Sequence, residues 1–250
     1  VGGCSVAGAL WPVQPASAAS LGQVALAAGG NHSLVVTSDG TVWSWENNGH
    51  GQLGDGTTQR RETPGPAGTM SGFRQISAGD GHTLALTQGG AVVAWGWNAF
   101  GQLGNGGSAD SSTPVAVQGL ATDSTIQAVA AGAYHSLALT SDGRVFAWGA
   151  NSYGQLGDGT TNSALSAVQV QGLTTASTVA VAVAAGGNHS LALTNDGRVF
   201  AWGKNSSGQL GDGSTTSSDF PVQVEGRRFS RCRGESLSPP ICTGSIVPGR

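Results

Sequence analysis

Apolar and polar residues alternate along short runs of this chain, and each run stops at a turn signal. From 135 to 140 the order is H-S-L-A-L-T, which puts Leu137 and Leu139 on one face of a strand and the small Ser136 and Ala138 on the other. Ser141-Asp142-Gly143 follows, and Asp-Gly supplies the backbone angles of a tight hairpin. Arg144–Trp148 reads as the returning strand. Ile126–Ala131 is the expected first strand, Gly149–Thr161 a glycine-rich loop, and Val168-Gln169-Val170 a fourth short strand.

This arrangement recurs four times. The phrase A-G-x-x-H-[ST]-L-x-[LV]-T leads into three turn-type residues and an apolar run ending in Trp, then closes on N-x-x-G-Q-L-G-[DN]-G. Its histidines, His32, His82, His135 and His189, are 50, 53 and 54 residues apart, and its tryptophans, Trp45, Trp95, Trp148 and Trp202, repeat the same spacings. A period of this size denotes stacked supersecondary units. In the second repeat the fourth strand is expected at Val115–Val117 behind Pro114, which suits a strand start.

Four short antiparallel strands per unit of about 50 residues describe a β-propeller blade. The expected fold is therefore all-β: a propeller of four-stranded blades with four recognisable repeats, partial or open. The repeats fall at about 21–70, 71–121, 122–174 and 175–226. Stacked blades are buried on both faces, so a small side must receive the neighbour's large side, and the repeated Trp is the expected knob. One buried Trp covers roughly 150–250 Å², on the order of 4–6 kcal/mol before entropy is set against it. An open arc would leave such a face uncovered, and self-association is expected in that case.

Composition sharpens this reading. Gly contributes 42 of 250 residues at fixed places beside Asp, Asn and Ser, as tight turns require. Net charge is −3, but residues 21–226 hold six basic against 13 acidic side chains, so nucleic acid is disfavoured as a partner. No apolar run is long enough for a spanning helix. Residues 1–20 end in Ala16-Ser17-Ala18, a small-x-small pattern that suggests the remnant of a secretory signal and an extracellular or cell-surface, bacterial protein. The alternative is the tail of an earlier unit, since Pro12-Val13-Gln14 matches Pro221-Val222-Gln223, and a cytoplasmic protein. After Gly226 the periodicity stops, and 227–250 reads as a disordered tail. Cys4, Cys232 and Cys242 lie outside the repeats and show no metal-ligand spacing.

Ala130–Gly149 (A-A-G-A-Y-H-S-L-A-L-T-S-D-G-R-V-F-A-W-G) and Asn151–Thr160 (N-S-Y-G-Q-L-G-D-G-T) resemble the repeat of the regulator-of-chromosome-condensation family. The resemblance covers about residues 21–226 and implies a propeller, usually seven-bladed, from which four repeats depart. It also implies guanine-nucleotide exchange on a small GTPase, or inhibition of an extracellular enzyme through aromatic rim loops. The G-W-R-H-T tryptophan cluster of the family's ultraviolet receptor is absent, so light sensing is not expected.

Candidate chemistry is sparse. His135, Ser136 and Asp142 suggest a catalytic triad, but all repeats but the second carry the same kind of set, and proximity in sequence is not triad geometry. The histidine at each strand start is expected to bond backbone of the next loop. Equivalent histidines in different blades lie too far apart for one metal ion. Asp55, Asp158 and Asp212, with Asn105 in the second repeat, each offer a single side chain and read as turns, not calcium ligands. No phosphate loop appears, and neither metal, cofactor nor enzymatic activity is expected.

The informative positions are those that differ among repeats. Since Asp-Gly closes one end of each hairpin, the x-x-H entry and the W-G exit share the other end. Asp80, Tyr134, Trp97, Lys204, His50, Phe100 and Tyr153 occupy variable slots there, and the aromatic residues among them are expected to cluster on one rim. Aromatic loops on a rigid scaffold are characteristic of interface hot spots. The expected function is thus a non-enzymatic scaffold that binds a protein partner, with nucleotide exchange or glycan and enzyme-inhibitor binding as alternatives.

Overall fold

The computed structural model describes residues 25–68, 71–173 and 179–225. The expected leader 1–20, the tail 227–250 and all three cysteines lie outside the described residues.

The alternating runs form four meanders of four antiparallel strands each. The first holds β1 (Ala25–Ala28), β2 (His32–Val36), β3 (Val42–Glu46) and β4 (Arg61–Pro66). The second holds β5 (Phe73–Ala78), β6 (His82–Thr87), β7 (Val92–Gly96) and β8 (Ser111–Ala116). The third holds β9 (Ile126–Ala131), β10 (His135–Thr140), β11 (Val145–Gly149) and β12 (Ala164–Gln169). The fourth holds β13 (Ala180–Ala185), β14 (His189–Thr194), β15 (Val199–Gly203) and β16 (Ser218–Gln223). Among the described residues no helix is long and apolar enough to cross a membrane.

The hairpin turns behave as their sequence dictates. Gly143 adopts φ +85°, and its N–H donates to Thr140 O at 3.0 Å. Asp142 accepts the Thr140 hydroxyl and the Arg144 guanidinium, which ties the turn to both strands. The fourth strand begins earlier than its apolar residues indicate, at Ser111 and Ala164. Pro114 is therefore not a strand start but sits inside β8, where an outer edge leaves its missing N–H without consequence.

Innermost strands carry the sheet-to-sheet packing. β5 packs on β1 and β2, β9 on β5 and β6, and β13 on β9 and β10, whereas no comparable contact joins the fourth sheet to the first. Among the described residues the four blades thus form an open arc with three apolar junctions. Leu34, Val36 and Val42 meet Phe73, Ile76 and Trp95 at the first. Leu84, Leu86 and Val92 meet Val129, Phe146 and Trp148 at the second, and Leu137, Leu139 and Val145 meet Ala180, Ala192 and Trp202 at the third.

Trp95, Trp148 and Trp202 are 0% exposed, as knobs between blades must be. Trp45, with no blade before it among the described residues, is only half-buried. Trp148→Ala is expected to lower unfolding free energy by about 3–5 kcal/mol through lost burial and a cavity. Trp45→Ala should cost under about 2 kcal/mol, since less area returns to water. Urea unfolding of both variants checks this ordering, and equal losses would contradict the open arc.

Candidate functional site

The repeated polar residues build the scaffold of the site. His32 Nε2 lies 2.9 Å from Thr83 Oγ1, His82 Nε2 3.0 Å from Ser136 Oγ, and His135 Nε2 2.9 Å from Ser190 Oγ. Each histidine therefore bonds a hydroxyl of the next blade, not loop backbone as the sequence suggests. Those hydroxyls spend their own protons on carbonyls of the preceding blade: Thr83 donates to Gln52 O (3.1 Å), Ser136 to Gln102 O (2.9 Å) and Ser190 to Gln155 O (2.9 Å). They can only accept from the imidazoles, which fixes the proton on Nε2. The same carbonyls receive Trp95, Trp148 and Trp202 Nε1–H at 2.9 Å.

This geometry disposes of the triad. Ser136 belongs to the His82 junction, His135 reaches Ser190, and Asp142 is held in its turn by Thr140 and Arg144. The Gly of A-G-x-x-H is also explained: a Cβ on Gly29 would come 2.7 Å from His32 Cε1 and collide with the Gly79 carbonyl oxygen.

Asn48, Asn98, Asn151 and Asn205, all fully buried, organise the loops that follow. In the third repeat Asn151 Nδ2 donates to Asp158 Oδ1 (3.2 Å), Thr160 O and Asn162 O (both 3.0 Å), while its Oδ1 accepts Leu156 N–H (2.9 Å). Asp55, Asp158 and Asp212 are bonded in the same way within their turns, and Asn105 takes the place in the second repeat.

On this frame the variable slots meet across the blade junctions. His50 of the first blade stacks on Trp97 of the second, ring centroids 5.1 Å apart at 25°. Phe100 of the second lies 5.8 Å from Tyr134 of the third, and Trp97 stands edge-on to Phe100 (5.8 Å) and Tyr134 (5.3 Å). Sizes compensate: Gly81 leaves room beneath Trp97, where a Cβ would come 3.2 Å from Trp97 Cβ, while Tyr134 accompanies the small Ala150. Tyr153 makes a separate pair, with Lys204 Nζ 5.2 Å from its ring centroid. Phe100 and Tyr153 are each 40% exposed.

Asp110, which sequence reasoning did not single out, lies 2.7 Å from His50 Nδ1 and accepts Asn98 N–H at 2.8 Å. Asp80 bears on the Tyr134 hydroxyl, and this contact raises the phenol above its ordinary value. Asp80 also lines an axial mouth of about 230 Å³ formed by the Ala-Gly pairs that end the innermost strands. Among the described residues no group of three metal-ligating side chains occurs.

Known proteins are similar to this chain in sequence and in fold. The profile of the RCC1-like domain matches residues 6–239. The chain belongs to the RCC1-like domain family. Ultraviolet-B receptor UVR8 of Arabidopsis thaliana is 34% identical over 214 residues, covering 85% of this chain and 48% of UVR8. The E3 ubiquitin-protein ligase HERC2 of Mus musculus is 35% identical over 215 residues, covering 83% of this chain and 4% of HERC2. Yeast RCC1 (Prp20), solved bound to Kap60, superposes with a TM-score of 0.72 at 26% identity, covering 80% of this chain and 48% of that chain. A second structure of Prp20p from Saccharomyces cerevisiae, described with its binding to Gsp1p and histones, gives 0.70 at 25% identity, covering 80% and 50%. The chain thus spans about half the length of UVR8 and of Prp20. These relatives are eukaryotic and lend no support to the bacterial, exported origin expected from residues 1–20.

Burial without a partner for Nδ1 keeps the junction imidazoles neutral. Burial lowers His82 and His135 to about 3, and His32 to about 4, where Asp80 offsets part of the effect. Below the ordinary value of 6.5 the unfolded chain takes up protons that the folded chain refuses. Stability is therefore full above pH 6.5 and falls on acidification, by on the order of 2 kcal/mol per histidine at pH 5. His82→Gln is expected to reduce the fall in urea midpoint between pH 6.5 and 5. An unchanged pH dependence would contradict the neutral tautomer.

Proposed function

We propose that this protein is a non-enzymatic scaffold that captures a partner protein through the rim loops carrying Trp97, Phe100 and Tyr153. The observation that carries this reading is the rim network, in which His50, Trp97, Phe100 and Tyr134 from successive blades hold one another in place while Phe100 stays 40% exposed, with Tyr153 equally exposed beside Lys204. Rings already fixed lose little side-chain entropy on binding, and an aromatic residue in such a setting is a favoured hot spot. His50, Asp80, Tyr134 and Lys204 flank them and supply polar contacts. One Prp20 structure holds Kap60 and the other is described with binding to Gsp1p and histones, which supports a protein over a nucleic acid as partner.

The likeness to RCC1 also supports a second reading, guanine-nucleotide exchange on a small GTPase. An extracellular or cell-surface module for a glycan or an enzyme is a further alternative, which rests on Ala16-Ser17-Ala18 and the same rings. A mature N-terminus near residue 19 in culture medium would favour it over the cytosolic exchange factor.

The rim reading predicts that Trp97→Ala, Phe100→Ala and Tyr153→Ala each weaken an isolated partner complex by about tenfold or more, at roughly 1.4 kcal/mol or more per residue. Trp43→Ala, on the outward face of the first blade, should leave affinity unchanged. Titration calorimetry reads both, and unaltered affinity in all three rim variants ends the proposal. Unchanged nucleotide release across a panel of small GTPases would remove the exchange reading independently.

A further inference from the structure

The rings on the rim of the second blade have a carboxylate at each end of their network. At one end the Tyr134 hydroxyl meets the Asp80 carboxylate. At the other, His50 Nδ1 lies 2.7 Å from Asp110 Oδ2. Trp97 and Phe100 stand between them, each in contact with at least two other rings. Apolar surface continues outward from Phe100. Leu165 of the third blade, 43% exposed, lies against the neighbouring Gly101, where a Cβ would come 2.7 Å from Leu165 Cδ2.

Neither acid is required by the repeat. The slot of Asp80 holds Gly30, Ala133 and Gly187 in the other blades, and that of Asp110 holds Arg60, Ser163 and Ser217. Ser217 Oγ accepts Asn205 N–H as Asp110 Oδ1 accepts Asn98 N–H, so a neutral side chain meets the structural need. The second blade alone brings an acid to both slots. The cations of the described residues are engaged elsewhere. Arg60, Arg61, Arg144 and Arg198 pair with Glu62, Asp55, Asp142 and Asp196, while Arg74 bonds the Ile126 carbonyl and Lys204 lies over Tyr153. No ion pair among the described residues joins a lysine or arginine to Asp80 or Asp110.

We propose that this patch seats an arginine-bearing segment of a partner protein, with a guanidinium paired to Asp80 beside the Tyr134 ring and apolar stems on Phe100 and Leu165. The inference rests on the rim reading above and gives its partner a chemistry. Ring faces attract cations, and a carboxylate beside them adds to the same field. Arginine suits the patch better than lysine, because a planar guanidinium stacks on a ring while it pairs with a carboxylate. Its methylene stem covers apolar surface as well. An acidic segment would meet like charge at both ends of the network.

Fluorescence anisotropy of the 250-residue chain with labelled octa-arginine, octa-lysine and octa-glutamate peptides tests this. Octa-arginine is expected to bind most tightly, by about twofold or more over octa-lysine, and octa-glutamate not at all. Asp80→Asn keeps an acceptor for the Tyr134 hydroxyl and should weaken octa-arginine by about threefold or more. Glu225→Gln removes the same charge behind Val224, which bonds Val199 at the far end of the blade, and should leave affinity unchanged. Thermal unfolding checks that both variants fold. Equal losses in the two variants would assign binding to the chain's overall charge and overturn the proposal, as would octa-lysine or octa-glutamate binding as tightly as octa-arginine. Octa-arginine binding that appears only after Arg227, Arg228, Arg231 and Arg233 are changed to Ser would assign the patch to the chain's own arginines and overturn it too. An isolated partner complex weakened by Trp97→Ala and Phe100→Ala but not by Asp80→Asn would sink the arginine inference and leave the rim reading standing.

Discussion

The carbonyls of Gln52, Gln102 and Gln155 each accept two hydrogen bonds from the next blade, one from a hydroxyl and one from an indole. Everything else in the arc is arranged around that convergence. The Asn-centred loop holds the Gln backbone in place, the buried Trp brings its N–H to the carbonyl while filling the apolar junction, and the histidine completes the hydroxyl. Polar and apolar requirements are met by the same side chains, so the junction cannot slip without stranding buried donors. The neutral imidazole is part of this. A second proton on the Nδ1 of His82 or His135 would find no acceptor in a site already closed to water.

The rim follows from the junctions below it. Because residues equivalent by repeat lie on adjacent blades, the ring of one loop reaches the variable slot of the next. His50 meets Trp97, Phe100 meets Tyr134, and Tyr153 meets Lys204. Packing against neighbouring loops and offering surface to a partner are thus the same property, since the contacts that seal the rim also preorganise its exposed edges.

Much of this was legible in the sequence. Period-two alternation and Asp-Gly turns define the inner hairpins, and antiparallel geometry places His50, Trp97, Phe100 and Tyr134 at one end. The outer strand was read short because Ser111–Ala116 lies on an edge, where alternation is weak and Pro114 is tolerated. The histidine partners were not legible, because they lie 51, 54 and 55 residues away and depend on how blades stack. Tyr153 stands apart from the other rings because Lys204 and not an aromatic residue faces it. Asp110 left no signal, as it falls in a loop whose sequence varies among repeats.

Every junction draws a histidine and a carbonyl from one repeat and a hydroxyl and an indole from the next. Inserting a whole repeat therefore adds one of each group and leaves existing junctions balanced, whereas inserting part of one strands a donor or an acceptor in a dry site. Gene duplication in such a chain can change the number of blades without a compensating mutation. The length of the arc is then free to drift while the contact between neighbours cannot.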